Sequence, residues 1–369
     1  MASFRLCSDI TIGSLHFSGV REVRVARSMH SYMDTANIRV PRMARLKKGA
    51  LQADGSVKPK PGAGVDVATA SLIKDGDKVT IKLGYNGQMQ TEFEGFVKRR
   101  NIGMPLDIEC EGYARQLRTQ VSVAGFIKET TTKKFLEIAC GIRDAKGALL
   151  AKPTTDVTVI CDADMPMSNI RMLEGTNGLQ IIDEIKRISQ NTLSIFFIEP
   201  KVMWCGFTYT AYRQKVDPFN TGEAKYRLGY NCIKDNGLKE RVVTDPVQVI
   251  FSGTSVAGHK VMTASEAKSA KSKAKTVFNN VGDLNWLHKL ANEKQYKLNY
   301  AGYEGTITGF LQPYCAPSYK AVIVDKEFEE RNGTYLVEST TVTFGLNGAR
   351  RAVELGPLIG FDPNKITQL

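Results

Sequence analysis

Gly253 and Gly258 follow the apolar run 247–251 in the stretch "VQVIFSGTSVAGHKV", with four residues between them and Lys260 close behind. A strand, a glycine-framed loop and a lysine are the parts of a phosphate cradle, where backbone N–H groups and an ammonium hold a nucleotide. The details fail that chemistry. His259 takes the lysine's place, Lys260 comes one residue late, and Val261 stands where a magnesium-binding hydroxyl belongs. No packed helix announces itself next, and no later apolar strand ends in an aspartate at a useful distance. The stretch reads as a strand ending in a glycine turn.

The other reactive side chains are just as dispersed. His16, His30, His259 and His288 lie far apart and share no HxxxH spacing; His288 sits beside an apolar helical stripe and reads as a packed residue. Asp162 and Asp164 in "CDADMPM" lack the further oxygen ligands and distal glutamate of a calcium loop. Glu329 and Glu330 flank a turn, where solvation accounts for them. Asn332-Gly333-Thr334 fits a glycosylation acceptor, but no secretion signal accompanies it and a hairpin is the simpler reading. The seven cysteines are scattered singly without CxxC spacing, which argues against disulfides and zinc and for small buried hydrophobes. No nucleophile stands with a base. The reading therefore expects no enzyme, no catalytic, cofactor-binding or metal-binding residue, and no cofactor.

What must be positioned, then, is surface. Fifty Lys and Arg against 38 Asp and Glu give a formal charge of +12, which predicts solubility and attraction to polyanions. The charge is concentrated: residues 41–60 hold six Lys/Arg and one acid, and residues 256–300 hold eight against three. Neither stretch interleaves cations with aromatics as a single-strand-binding groove does. A basic nucleic-acid-binding β protein stays as the reading of another class, and would show as an affinity falling steeply with salt. No apolar run approaches ~20 residues, so no membrane span is expected. The start, "MASFRLCSDITIGSL", lacks a long apolar segment, so synthesis in a cytosol is expected.

Alternation dominates the ends of the chain. Val20, Val23, Val25, Ile38 and Val40 suggest strands, and "KVTIKLGYNGQMQTEFEGFVKRR" predicts a hairpin with Val79, Ile81, Leu83 and Tyr85 on its buried face. Asn86-Gly87 suits a type I′ turn, the return strand carries Met89 and Phe93, Gly95 marks a bulge, and "PLDIECEGY" adds a third strand. Between them lies 47–64, rich in Gly, Pro and Lys, which reads as a long exposed loop. From about 121 to 230 the pattern changes. Thr residues precede Phe135, Ile138 and Ala139, and "TNGLQIIDEIKRISQN" places Leu179, Ile182, Ile185 and Ile188 on one helical face before two strand-like runs. Beyond 231 strands return, interrupted by an Ala/Lys run and an amphipathic helix at 282–294 carrying Leu284, Leu287, Leu290 and Ala291. "YKAVIVDKEF", Asn332-Gly333, "TYLVESTTVTFG", Asn347-Gly348 and "ARRAVEL" close the chain.

Both β regions show strand, Asn-Gly hairpin, return strand, turn and strand, which suggests one β module used twice. The segments carry a family resemblance in order. "GDKVTIKLGYNGQMQTEFEGFVKRR…LDIECEGYARQL" resembles the first tube-like domain of baseplate hub proteins of contractile phage tails, the late control protein D or tail hub family shared with contractile injection systems; the match falls on 79–85, 93–97 and 108–111. "TNGLQIIDEIKRISQNTLSIFFIEPKVMWCG" is similar to the family's middle segment. "VQVIFSG" and the run from "GTITGFLQPYC" to "TYLVESTTVTF", with Gly333-Thr334-Tyr335-Leu336-Val337, resemble its second tube domain.

The resemblance implies a mainly β fold with an α+β insert: two tube-like antiparallel β-barrel domains plus a small α/β domain. The first tube domain takes 1–120 with the basic loop 47–64, the insert 121–230, the second tube domain 231–360 with a helical excursion at 259–295, and a C-terminal tail 361–369. It implies a homotrimeric, pseudo-sixfold ring joining a hexameric tail tube to a trimeric spike. Its partners are then the spike protein, the tail tube protein and the tape-measure protein, with baseplate wedge or sheath proteins at its rim and DNA only as passing cargo. It implies a place in the virion's tail baseplate, assembled in host cytoplasm, with a non-viral contractile injection or secretion system as the alternative setting. The loops 47–64 and 259–275 are expected to project toward acidic partner proteins.

Overall fold

Strict alternation over 78–85 leaves Val79, Ile81 and Leu83 buried and Lys78 and Lys82 exposed, and an antiparallel sheet grows from that strand. The computed structural model describes residues 5–17, 19–51, 57–119, 125–214, 216–241, 247–254, 258–265, 272–300 and 302–360. Among them strands far outnumber helices and most pairings are antiparallel, so the chain is mainly β with some helices. It divides into two units, each assembled from segments distant in sequence.

The first unit comprises 1–26, 35–112 and 342–350. Its strands run in the order Leu15–Phe17, Leu6–Ile12, Lys78–Tyr85, Gln88–Asn101, Leu106–Glu111, Thr35–Val40, Glu22–Ser28. Every pair resolved in that order is antiparallel. Ile10, Val23, Ile38, Ile81, Val97 and Ile108 form its core. Asn86 and Gly87 have φ of 52° and 85°, the two positive values that a type I′ turn needs. Gly95 is not the bulge. The extra residues are Glu92 and Lys98, where the register shifts. Gly95 instead admits its neighbour, since a Cβ there would lie 2.3 Å from the Glu111 carbonyl oxygen.

The basic stretch 47–64 is not a loop. Met43–Leu51 pairs antiparallel with Val57–Ala68 from Met43↔Ala68 to Leu51↔Val57, and residues 52–56 between them lie outside the described set. Prolines 59 and 61 are compatible with an edge strand, where the missing N–H faces away from the partner.

The second unit comprises 27–34, 113–341 and 351–369. Helix Thr132–Ala139 starts at Thr131, whose side chain accepts from the Lys134 N–H, and it buries Phe135, Ile138 and Ala139. Helix Gly178–Ile188 starts from a capping box between Asn177 and Gln180 and buries Ile181, Ile182, Ile185 and Ile188, while Leu179 is only partly covered. Beside these helices lies a three-stranded sheet: Val202–Gly206 runs parallel to Thr158–Cys161 and antiparallel to Ser194–Glu199. A larger sheet joins Cys232–Arg241, Gly302–Gly309, Gly348–Gly360, Gly333–Gly345, Lys320–Val324 and Glu223–Arg227. Tyr226, Ile307, Ile323, Val337 and Val353 fill its core.

Two expectations for this unit change. Of the helical excursion expected at 259–295, only the last part is helical among the described residues. Lys260–Ala264 and Ser272–Phe278 are strands flanking Val247–Thr254, antiparallel and parallel respectively, and only Leu284–Leu298 is helical. Ala274, Thr276 and Phe278 alternate with Lys273, Lys275 and Val277, a period of two that the Ala/Lys composition disguised. The Asn332-Gly333 hairpin is also absent: eight residues separate Lys320–Val324 from Gly333–Gly345, and a 3-10 turn at Glu329–Arg331 lies within them.

Candidate functional site

The glycine-framed stretch folds as a sheet and not as a phosphate cradle. Val247–Thr254 is the central strand of the three just described, and the next described element, Lys260–Ala264, pairs back on it as a strand where a phosphate cradle would have a helix. Residues 255–257 lie outside the described set. Gly253 has a packing role: a Cβ there would lie 2.1 Å from the Val281 carbonyl oxygen. Gly258 has φ +84°, as a turn requires.

Several of the dispersed polar residues take structural tasks. His16 Nε2 lies 2.7 Å from Asp9 Oδ1 and His30 Nε2 lies 2.8 Å from Glu338 Oε2. His288 Nδ1 lies 3.2 Å from Thr263 Oγ1 and from the Ala264 carbonyl oxygen, on the sheet-facing side of its helix. Asp162 accepts from the Trp204 indole N–H at 2.8 Å, and Asp164 accepts from the Lys133 N–H at 2.8 Å in the first turn of helix Thr132–Ala139. Among the described residues no group of three or more His, Cys, Asp or Glu could hold a metal ion. Five cysteines are buried and two partly so, and none is in a disulfide. Burial pushes the Cys110 thiol up to about 12, with the Glu109 carboxylate adding to it.

Sequence reasoning missed a buried polar cluster in the second unit. Glu293 is 1% exposed, and its carboxylate accepts the N–H groups of Thr208 and Tyr209 at 2.9 Å and of Thr210 at 2.6 Å. It thereby satisfies donors that open the helix Thr208–Arg213. Burial raises its proton affinity, and these hydrogen bonds recover only part of that cost. Glu338 behaves oppositely. Burial alone would raise it, but hydrogen bonds from His30 and from the Tyr209 hydroxyl (2.7 Å), with the Lys297 charge nearby, hold it below the usual range. Burial lowers both Lys186 and Lys297. Lys186 Nζ donates to the His30 carbonyl at 3.0 Å, and Tyr32 donates to Asp183 at 2.7 Å. Together these bonds tie the segment 27–34 to helix Gly178–Ile188 and to strand Gly333–Gly345. The arrangement fastens chain segments to one another. The only sequence trace was an acid inside the apolar alternation of "YLVESTTVTF".

The surfaces are more telling than the interior. In the first unit Ile102, Met104 and Leu346 are 76%, 83% and 87% exposed, and Met43 is also exposed. Register places all four at one end of the sheet. Glu22 pairs with Arg39, Val40 with Leu106 and Asn101 with Asp107, while Gly345 lies against the Arg21 carbonyl. The turn at the opposite end is the polar Asn86-Gly87. Large apolar side chains grouped at one end of a sheet are costly to leave in water, and such groupings mark contact surfaces. In the second unit an open cleft of 830 Å³ is walled by Tyr230 and Phe328, each under a guanidinium, Arg227 and Arg331 respectively.

No protein-family model matches this sequence, and no curated protein matches it. Solved structures do. The 43 kDa tail protein of prophage MuSo2 from Shewanella oneidensis is 12% identical, with a TM-score of 0.57 over 95% of this chain and 98% of its own. The tail protein from Neisseria meningitidis MC58 is 14% identical, with a TM-score of 0.59 over 95% and 96%. An Escherichia coli component of the type VI secretion system, itself described as similar to bacteriophage T4 tail proteins gp27 and gp5, is 10% identical, with a TM-score of 0.51 over 97% and 80%. At these identities the likeness establishes a shared fold: the chain is built like phage tail and type VI secretion proteins along nearly its whole length.

Proposed function

We propose that this chain is the structural hub of a contractile phage tail baseplate, a homotrimer that joins the hexameric tail tube to the trimeric central spike. The observation that carries the reading is the two-way coverage of a prophage tail protein, 95% of one chain and 98% of the other, which leaves no sizeable part of either unmatched. Symmetry supplies the rationale. Three copies of a chain with two β modules present six similar modules, so a threefold object can meet a sixfold one. In this reading 1–120 and 231–360 are the ring modules and 121–230 the insert. The apolar tips at 43, 102, 104 and 346 are the surface that a stacked ring covers. The spike lies below, the tube above and the tape-measure protein within, DNA passes only as cargo, and the chain works by association, without chemistry, in the virion after assembly in host cytoplasm.

Native mass measurement tests it: three times 40.7 kDa is expected, with a threefold ring and central hole on imaging. A strictly monomeric species at all concentrations, also with its spike protein present, would overturn it. A hub in a non-viral injection system is the second reading, favoured by the type VI secretion protein, whose chain is covered to 80%.

A further inference from the structure

The strand Ser272–Phe278 is an outer edge of its sheet: it pairs with Val247–Thr254 on one side and with no other strand among the described residues. One face of that sheet is spoken for. Val249, Phe251 and Phe278 are buried, and Thr263 and Gly253 meet helix Leu284–Leu298 and its approach. The other face carries the opposite alternation. Lys273, Lys275 and Val277 succeed one another along the edge, all exposed, with Val277 at 63%. None of the three strands contains an acidic residue, and neither lysine makes an ion pair among the described residues.

We propose that the edge Ser272–Phe278 accepts an added β-strand from a partner protein, whose outward side chains read acidic, acidic, apolar opposite Lys273, Lys275 and Val277. An unpaired edge offers a ladder of N–H and C=O groups, and same-face side chains on paired strands repeat about every 7 Å, so each partner residue meets its own counterpart. Opposite charges placed directly across a pair stabilise it and like charges oppose it. A second copy of this edge is thereby refused, because lysine would face lysine, which is how edges are guarded against self-pairing. The acidic strand is the occupant that turns the guard into a selector. The surface goes beyond the hub reading and does not depend on it.

The test uses the full chain and fluorescent seven-residue peptides that alternate threonine with valine, glutamate and glutamate, in both chain directions, read by anisotropy at low salt. Binding is expected, at least tenfold weaker for Lys273→Glu/Lys275→Glu, about threefold weaker for Val277→Ser, and unchanged within twofold for Met262→Ser on the far edge strand. A peptide with lysines in place of the glutamates is expected to bind at least tenfold more weakly. Absence of binding at 1 mM peptide, equal loss with Met262→Ser, or tighter binding of a 20-nucleotide DNA with the same lysine dependence would each overturn the proposal. The last outcome would assign a polyanion surface instead.

Discussion

The dipeptide Asn-Gly closes a hairpin at 86–87 and precedes a strand at 332–333, and different physics holds each. At 86–87 both residues have positive φ, and nothing lies within 4 Å of where a Gly87 Cβ would be. Backbone conformation sets that turn, and exposed contacts to the neighbouring strand accompany it: the Asn86 side chain accepts the Arg5 N–H at 2.8 Å. Asn332 has an extended backbone (φ −64°, ψ 134°), and its buried side chain accepts the Asp325 N–H at 2.6 Å, bridging the loop that precedes the strand. A Cβ on Gly333 would lie 2.5 Å from Leu358 Cδ1. The same letters supply positive φ and an exposed bond in one unit, and an extended backbone with buried contacts in the other.

The comparison can be broken most severely at the hairpin's frame. A Cβ at Gly84 would lie 1.8 Å from the Gln88 carbonyl oxygen, so Gly84→Val is expected to cost about 4 kcal/mol or to prevent folding, read by denaturant unfolding. Next, Asn332→Gly removes the acceptor of a buried N–H and should cost about 2 kcal/mol in the same assay. Asn86→Gly keeps the positive φ and gives up only an exposed hydrogen bond from the Arg5 N–H, so it should stay within about 0.5 kcal/mol of the parent. Equal costs at the two sites would erase the distinction. Between these two falls the loss of a helix start: Asn177→Ala should cost about 1 kcal/mol.

The two buried glutamates of the second unit sharpen the point through pH. Glu338 is depressed, so its contribution is present above the unfolded value of about 4.3 and is lost as pH falls through its lower folded value. Glu293 is raised, so its contribution is greatest below the unfolded value and is lost as pH rises through the folded one. The stability gap between parent and Glu338→Gln should therefore shrink on acidification, while that for Glu293→Gln should move the other way. Urea midpoints measured from pH 3.5 to 7 check both signs.

Legibility followed the range of the interaction. The hairpin 78–101 could be read because alternation, turn residues and pairing partners sit within about twenty positions. The ribbon Met43–Ala68 was misread because Pro, Gly and Lys outweigh its pattern. Ser272–Phe278 was hidden in the same way, and its parallel pairing with Val247–Thr254 spans some twenty-five residues. Glu293 and Glu338 could not be foreseen: their partners, Thr208 to Thr210 and His30, lie 83 to 85 and 308 positions away.

By itself the sequence determined the mainly β class, the capped helices at 132–139 and 178–188, the type I′ turn, and the failure of 253–260 as a phosphate cradle. Each depends on neighbours along the chain, where spacing is information enough. Only the tertiary structure decided which glycines are packing contacts, which acids are buried, where four exposed apolar side chains gather and which strand is left as an edge. Those properties belong to pairs of residues brought together by folding, and no local pattern carries the identity of a partner that arrives hundreds of positions later.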